Sequence, residues 1–208
     1  MNTIKNTLKQ TSLYPWYRAV QSELSYITWN VGGKNGSTPH KVKELEVVSV
    51  AKKYNLKTLV ETGTYLGDMI AAVKNDFTAV YSIEINEVLA KNAQKKFANS
   101  PHVQILIGDS GIVMKDLLPK LSDNVLFWLD GHFSGGITGR GVMDSPIIQE
   151  LDAIFKSPLT TICILIDDAR LFVGTDGYPT IKELEAFVAE RKPGWKCEVL
   201  YDIIRIYA

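Results

Sequence analysis

The sequence predicts a doubly wound α/β sheet with a hairpin at one edge. Two observations lead there. From Thr38 onward, short runs rich in β-branched residues alternate with amphipathic helical segments, the pattern of a mostly parallel sheet covered on both faces. The chain then closes with KCEVLYD and IIRIYA, two β-rich runs with almost no connector. Only a tight hairpin can join them, so the last strand should run antiparallel.

The elements follow in order. Residues 1–40 are irregular and rich in aromatics, with one helix expected near 15–27 and then a turn-rich stretch, NVGGKNGSTP. This segment reads as a cap on the core or a lid over a pocket. Ser37 or Thr38 can cap a helix that has Pro39 in its first turn and Val42, Leu45 and Val48 along one face. Strands are expected at TLVET (58–62), AVYSIEI (79–85), VQILIGD (103–109), NVLFWLD (124–130) and TICILIDD (161–168). Helices are expected between them in GDMIAAVKND, NEVLAKNAQKKFAN, SGIVMKDLLPKL (ended or bent by Pro119) and PIIQELDAIF, opened by Pro146. A final helix, PTIKELEAFVAER, is expected to begin at Pro179. The domain division expected is 1–40 for the cap and 41–208 for the sheet domain.

Composition narrows the function classes. The 208 residues are 46% hydrophobic and 22% charged, ordinary for a soluble domain. Lys+Arg and Asp+Glu both number 23, so no excess of positive charge points to nucleic acid or an anionic membrane. No apolar run approaches the roughly 20 residues of a membrane span, and MNTIKNTLKQTS lacks a signal peptide's apolar core. A cytoplasmic protein is expected, with no nucleic-acid or membrane partner, as a monomer or homodimer. Cys163 and Cys197 lie in strand-like runs and are expected to be free thiols.

In such a sheet, ligands bind beyond the carboxyl ends of the strands, where strand order reverses. The stretch ETGTYLG (61–67) lies there, after the first strand. Gly63 permits close backbone approach, and Gly67 permits the helix to pack closely. The spacing is neither GxGxxG nor a phosphate-binding P-loop. Glu61 would repel a pyrophosphate but could receive a cation. Glu84 closes the second strand, where an acid can accept hydrogen bonds from both hydroxyls of a ribose. Gly108-Asp109-Ser110 closes the third. Its carboxylate and hydroxyl could meet an adenine edge, or Asp109 could cap the next helix.

ETGTYLG, IEI and IGDS, in that order at successive strand ends, resemble the cofactor motifs of class I S-adenosylmethionine-dependent methyltransferases. The resemblance covers about residues 40–208 and implies a Rossmann-like, seven-stranded sheet whose last strand is antiparallel. It implies S-adenosylmethionine as cofactor. Glu61, Gly63, Thr64, Tyr65 and Gly67 would face its methionine part, with Glu61 near the amino group. Glu84 and Ile85 would lie at the ribose, and Gly108, Asp109 and Ser110 at the adenine. Asp130 completes the cofactor set.

Two further strands end in acids, LFWLDGH (Asp130, His132) and ILIDDAR (Asp167, Asp168). Carboxylates converging on one sheet edge repel one another unless a cation, the arginines Arg140 and Arg170, or a raised pKa compensates. Asp130, Asp167 and Asp168 would suit Mg²⁺. In this they resemble cation-dependent O-methyltransferases, where a metal lowers the pKa of a substrate hydroxyl and aligns it. Those of the catechol type place a lysine base three residues after the first metal-binding Asp, where this chain has Phe133. His132 is a candidate base, with Asp130 beside it as a second catalytic candidate and no metal required. The glycine-rich loop FSGGITGRGVMDS (133–145) suits closure over a substrate, with Arg140 for an anionic group. DGHFSGG with IDDARLF also looks like a bacterial methyltransferase-like group of undefined substrate.

The resulting expectation is methyl transfer from S-adenosylmethionine to a small molecule, on the oxygen of a sugar or secondary-metabolite hydroxyl. Two alternatives stay open: a protein that binds S-adenosylmethionine or S-adenosylhomocysteine without catalysis, and another nucleotide-utilising enzyme. The absence of an Asn/Asp-Pro-Pro-Tyr-like motif after the fourth strand, together with the neutral charge, disfavours a nucleic-acid methyltransferase.

Overall fold

The computed structural model describes the backbone of residues 14–34, 38–131 and 146–208, and within those ranges the side chains from residue 20 onward. The chain divides into two compact units, Met1–Glu46 and Val47–Ala208. In the first, helix α1 (Tyr14–Val31) runs four residues beyond the expected 15–27, because nothing breaks it before Gly32-Gly33. The Gly32 N–H closes the final turn on the Thr28 carbonyl at 2.8 Å. Helix α2 (His40–Lys53) crosses the division, and its Val47, Val50 and Ala51 belong to the core of the second unit.

The second unit is a seven-stranded sheet. Strands β1 (Thr58–Thr62), β2 (Ala79–Glu84), β3 (Val103–Ile107), β4 (Val125–Leu129), β5 (Ile162–Ile166), β6 (Lys196–Leu200) and β7 (Ile203–Tyr207) lie in the order β3-β2-β1-β4-β5-β7-β6. All neighbours from β3 to β5 pair in parallel, while β7 is antiparallel to both β5 and β6. This is the expected Rossmann-like sheet with its antiparallel final strand. The strand order reverses between β1 and β4, which places the switch point over the carboxyl ends of those two strands.

Helices α3 (Asp68–Val73), α4 (Glu87–Lys96), α5 (Ser110–Leu117), α6 (Ile147–Lys156) and α7 (Ile181–Arg191) connect the strands. Two apolar layers result, one on each face. Leu59, Val80, Leu126 and Trp128 pack with Met69, Ile70 and Val73 of α3 and with Ala90 and Ala93 of α4. Val60, Ile83, Phe127 and Leu129 pack with Met114 of α5, Leu151 and Ile154 of α6, and Leu184 and Val188 of α7. Alternate strand residues serve opposite faces. Glu61 therefore points to the α3–α4 side and Thr62 to the α5–α6 side. That one-residue step determines how the site is built.

Local signals explain most helix ends. Asn86 caps α4 by accepting from the Val88 and Leu89 N–H groups, and α5 stops at Leu117 with Pro119 in the 3₁₀ turn that follows. Helix α7 begins at Ile181 rather than at Pro179, because Thr180 and Glu183 form a reciprocal capping box. Thr180→Ala is therefore expected to cost about 1 kcal/mol, a fall of roughly 2–4 °C in thermal midpoint by calorimetry. Cys163 and Cys197 are free thiols, as expected, and pack into the layers on opposite faces of the sheet. Among the described residues, no helix is long and apolar enough to cross a membrane.

Candidate functional site

The carboxyl ends of β1 to β5 share one edge, and the backbone ladder continues past the strands to hold the loops that leave them. Gly63 N donates to Ile83 O at 2.9 Å, Gly108 N to Glu84 O at 3.0 Å, Asp130 N to Thr62 O at 3.1 Å and Asp167 N to Leu129 O at 3.0 Å. At the switch point the loops from β1 and β4 touch. Gly63 has φ +85°, and a β-carbon built on it would stand 2.3 Å from the Asp130 carbonyl oxygen. Only glycine fits there. Gly131 answers from the other strand, where a β-carbon would lie 2.9 Å from Thr62 Oγ1 and 3.4 Å from Glu150 Oε1.

The loop after β1 is held from two sides. Glu84 Oε2 accepts the Tyr65 N–H at 2.8 Å, and its other oxygen accepts the Asn86 N–H at the same distance. Lys96, reaching from α4, donates to the carbonyls of Leu66 at 2.7 Å and Gly67 at 3.0 Å. The loop closes on itself through Gly67 N to Thr64 O at 2.7 Å. Glu84 thus anchors the loop, and each of its oxygens retains a second lone pair for another donor. Tyr65 is exposed on the loop and Ile85 is half-buried just beyond β2.

Beneath the loop lies Glu61, 2% exposed. Ser82, its register partner on β2, donates to Glu61 Oε2 at 2.5 Å, and Thr64 Oγ1 meets Ser82 Oγ at 2.5 Å. Burial pushes the Glu61 carboxyl up to about 8; the Ser82 hydrogen bond works against the rise, while Asp130, Glu84 and Asp68 add to it by repulsion. The acid therefore sits neutral near pH 7 until a cation joins it.

A second buried acid occupies the opposite face. Glu150, on the first turn of α6, is 1% exposed. Burial raises its carboxyl to about 7; Ser110 and Thr62 beside it oppose the rise, and the Asp109 charge adds to it. Its Oε1 and the Thr62 hydroxyl are both buried without a hydrogen-bond partner. Sequence reading missed this residue. The signal was available: Glu150 stands on the same helical face as Ile147, Leu151 and Ile154, where a charge is out of place. Lys96 and Ser82 carried no such signal, because their roles come from register and from loop position.

At the β3 end, Asp109 caps α5 by accepting the Gly111 N–H at 3.0 Å, with Gly108 before it and Ser110 buried behind it. At the β5 end, Asp167 Oδ1 accepts the Asp168 N–H at 2.7 Å. Asp168, at φ +56°, accepts from Arg170 at 2.8 Å, and Arg170 also pairs with Asp202. The compensation expected of Arg170 is thus present for Asp168. Asp168 pairs with the Arg170 guanidinium, and among the described residues there is no group of three or more His, Cys, Asp or Glu side chains placed to hold a metal. Asp130, Asp167, Gly131, Glu150, Phe172 and Tyr178 help to line a cavity of about 10 Å³ between the β4 and β5 ends. His132, Arg140 and the loop 133–145 lie outside the described residues.

Strand order, antiparallel β7 and the loop at the β1–β4 switch point together define the class I S-adenosylmethionine-dependent methyltransferase fold. Three solved structures share it at low identity. The O-methyltransferase from Bacillus cereus, solved in complex with SAH, is 12% identical, covers 90% of this chain and 91% of its own, and has a TM-score of 0.58. The SAH-bound methyltransferase PaMTH1 from Podospora anserina is 16% identical over 90% of this chain and 86% of its own, with a TM-score of 0.57. The O-methyltransferase TomG from Streptomyces achromogenes, involved in tomaymycin synthesis and solved with SAM, is 13% identical over 79% and 78%, with a TM-score of 0.56. No family model and no curated protein matches the sequence.

Proposed function

We propose that this chain is an S-adenosylmethionine-dependent methyltransferase that methylates a hydroxyl oxygen of a small molecule, a sugar or secondary metabolite. One observation carries the reading. The loop Gly63–Gly67 is held by Glu84 above a buried Glu61 at the switch point of the sheet. A pyrophosphate would make ionisation of Glu61 costlier still, whereas an ammonium or sulfonium would draw it into its charged form. The fold shared with three methyltransferases, two of them solved with SAH and one with SAM, supports the same reading.

In this reading Glu61 receives the amino-acid end of the cofactor, with Gly63, Thr64, Tyr65 and Gly67 alongside. Glu84 and Ile85 hold the ribose, with the second lone pairs of the Glu84 carboxylate free for hydroxyl donors. Gly108, Asp109 and Ser110 bound the adenine. The bound cofactor supplies an electrophilic methyl on a cationic sulfur. Asp130, whose carbonyl packs against Gly63, orients the acceptor side, and His132, two residues further along, is the proposed base. No step is assigned to Mg²⁺.

Titration calorimetry with S-adenosylhomocysteine tests the reading directly. Wild-type protein is expected to bind in the micromolar range typical of such pockets (about −8 kcal/mol). Glu84→Ala should weaken binding at least about tenfold, because it removes both the ribose acceptor and the loop anchor. A folded wild-type protein that gives no binding heat at any concentration would overturn the proposal.

A further inference from the structure

Glu150 is an acid set among the apolar residues of α6 that face the core. It is buried, its Oε1 has no hydrogen-bond partner, and the groups acting on its charge are the hydroxyls of Ser110 and Thr62 and the repelling Asp109. Across the adjoining cavity stand Asp130, Asp167 and the phenol Tyr178. A leucine would pack there at lower cost, since a buried, unpaired polar group loses its hydration without return. The two unpartnered oxygens, Glu150 Oε1 and Thr62 Oγ1, are both buried against Gly131, where a β-carbon would crowd them at 3.4 and 2.9 Å. The cavity beside them has room for about one water molecule.

We propose that Glu150 is the proton store of the site, holding the proton that the acceptor hydroxyl releases when it is methylated. This rests on the methyltransferase reading above and names where its proton goes. The balance is complete. The acceptor O–H bond breaks and the oxygen's electron pair forms the O–CH₃ bond. The S–CH₃ bond breaks with its pair left on sulfur, and the proton passes by way of the cavity water to Glu150 Oε1. Before transfer the site holds a sulfonium and an ionised Glu150; afterwards it holds a neutral sulfide and a neutral carboxylic acid. The net charge of the pair is zero throughout. Loss of the sulfonium charge raises the proton affinity of Glu150 at the moment the proton appears. Asp109 favours the same direction, since it repels an ionised Glu150.

The test counts protons rather than turnover. Binding of S-adenosylmethionine and of S-adenosylhomocysteine is measured calorimetrically at pH 7 in buffers of different ionisation enthalpy. Wild-type protein is expected to release about half a proton more per site with S-adenosylmethionine than with S-adenosylhomocysteine. Glu150→Gln is expected to bind both compounds and to lose that difference. A difference that persists in Glu150→Gln, or that is absent in wild type, overturns the assignment while leaving the cofactor reading intact. A wild type that binds neither compound overturns both. Infrared difference spectra between the two wild-type complexes provide a readout that needs no variant: a protonated-carboxyl band must be stronger with S-adenosylhomocysteine, and its constancy overturns the proposal.

Discussion

Gly63→Ala is expected to lower stability by at least about 3 kcal/mol, a fall of roughly 6–12 °C in thermal midpoint for a chain of this size. Two costs combine. The residue sits at φ +85°, and the new methyl would overlap the Asp130 carbonyl oxygen, 2.3 Å from the β-carbon position. That oxygen belongs to backbone held by Asp130 N to Thr62 O, so it cannot swing aside like the end of a flexible side chain. The strain must separate the ends of β1 and β4, and these are the two strands that frame the switch point. Binding of S-adenosylhomocysteine should therefore be lost even at temperatures where the variant remains folded. Calorimetric melting and titration on the same sample check both parts. A variant with wild-type melting would show that the contact yields more readily than its backbone anchoring implies.

Glu61→Gln carries the second large effect, and its sign depends on pH. The folded-state carboxyl lies at about 8, raised above its ordinary value of 4.5 mainly by burial. Between those values the folded protein binds more protons than the unfolded chain, so wild-type stability falls as pH rises from 4.5 to about 8 and is level beyond. Glu150 acts in the same sense up to about 7. Glutamine cannot ionise. Glu61→Gln should match wild type near pH 5 and exceed it by a few kcal/mol at pH 8.5, as read from urea denaturation midpoints at both pH values. The same substitution should weaken cofactor binding, because the variant offers no charge to a cation. A variant less stable than wild type at pH 8.5 would show that Ser82 and its neighbours compensate the Glu61 charge fully.

The parts of the molecule governed by local pattern were legible in the sequence. TLVET gave β1 to the residue, and the two closing runs gave an antiparallel hairpin, because continuous β-branched segments and a short connector leave few alternatives. The strand-end acids were found for the same reason: a strand that ends in a carboxylate delivers it to the shared edge. Pairing across strands was less legible. Ser82 faces Glu61 only because β1 and β2 align Thr58 with Ala79, a register that no single segment encodes. Glu84 was read as a ligand acceptor, yet its first duty is to hold the Tyr65 N–H, a backbone contact invisible to residue type. The three aspartates suggested a metal by composition. The pairing of Asp168 with Arg170 was less legible, since only the hairpin turn brings Asp202 close enough to share that guanidinium.

That hairpin has a consequence for the order of assembly. β7 is the last strand in sequence, yet it lies inside the sheet, between β5 and β6. β5 therefore waits for a partner that arrives some forty positions later, and a long-range closure of this kind slows folding. Until it happens, β5 presents an open apolar edge, the sort of surface that recruits other chains. The turn of the same hairpin carries Asp202, whose carboxylate fixes Arg170 and whose carbonyl accepts the Ala169 N–H at 2.9 Å. The β5 rim of the site is thus the last part of the molecule to set. A chain arrested before Ile203 would carry β1 to β4 with their loops, but the rim bearing Asp167 and Asp168 would lack its brace.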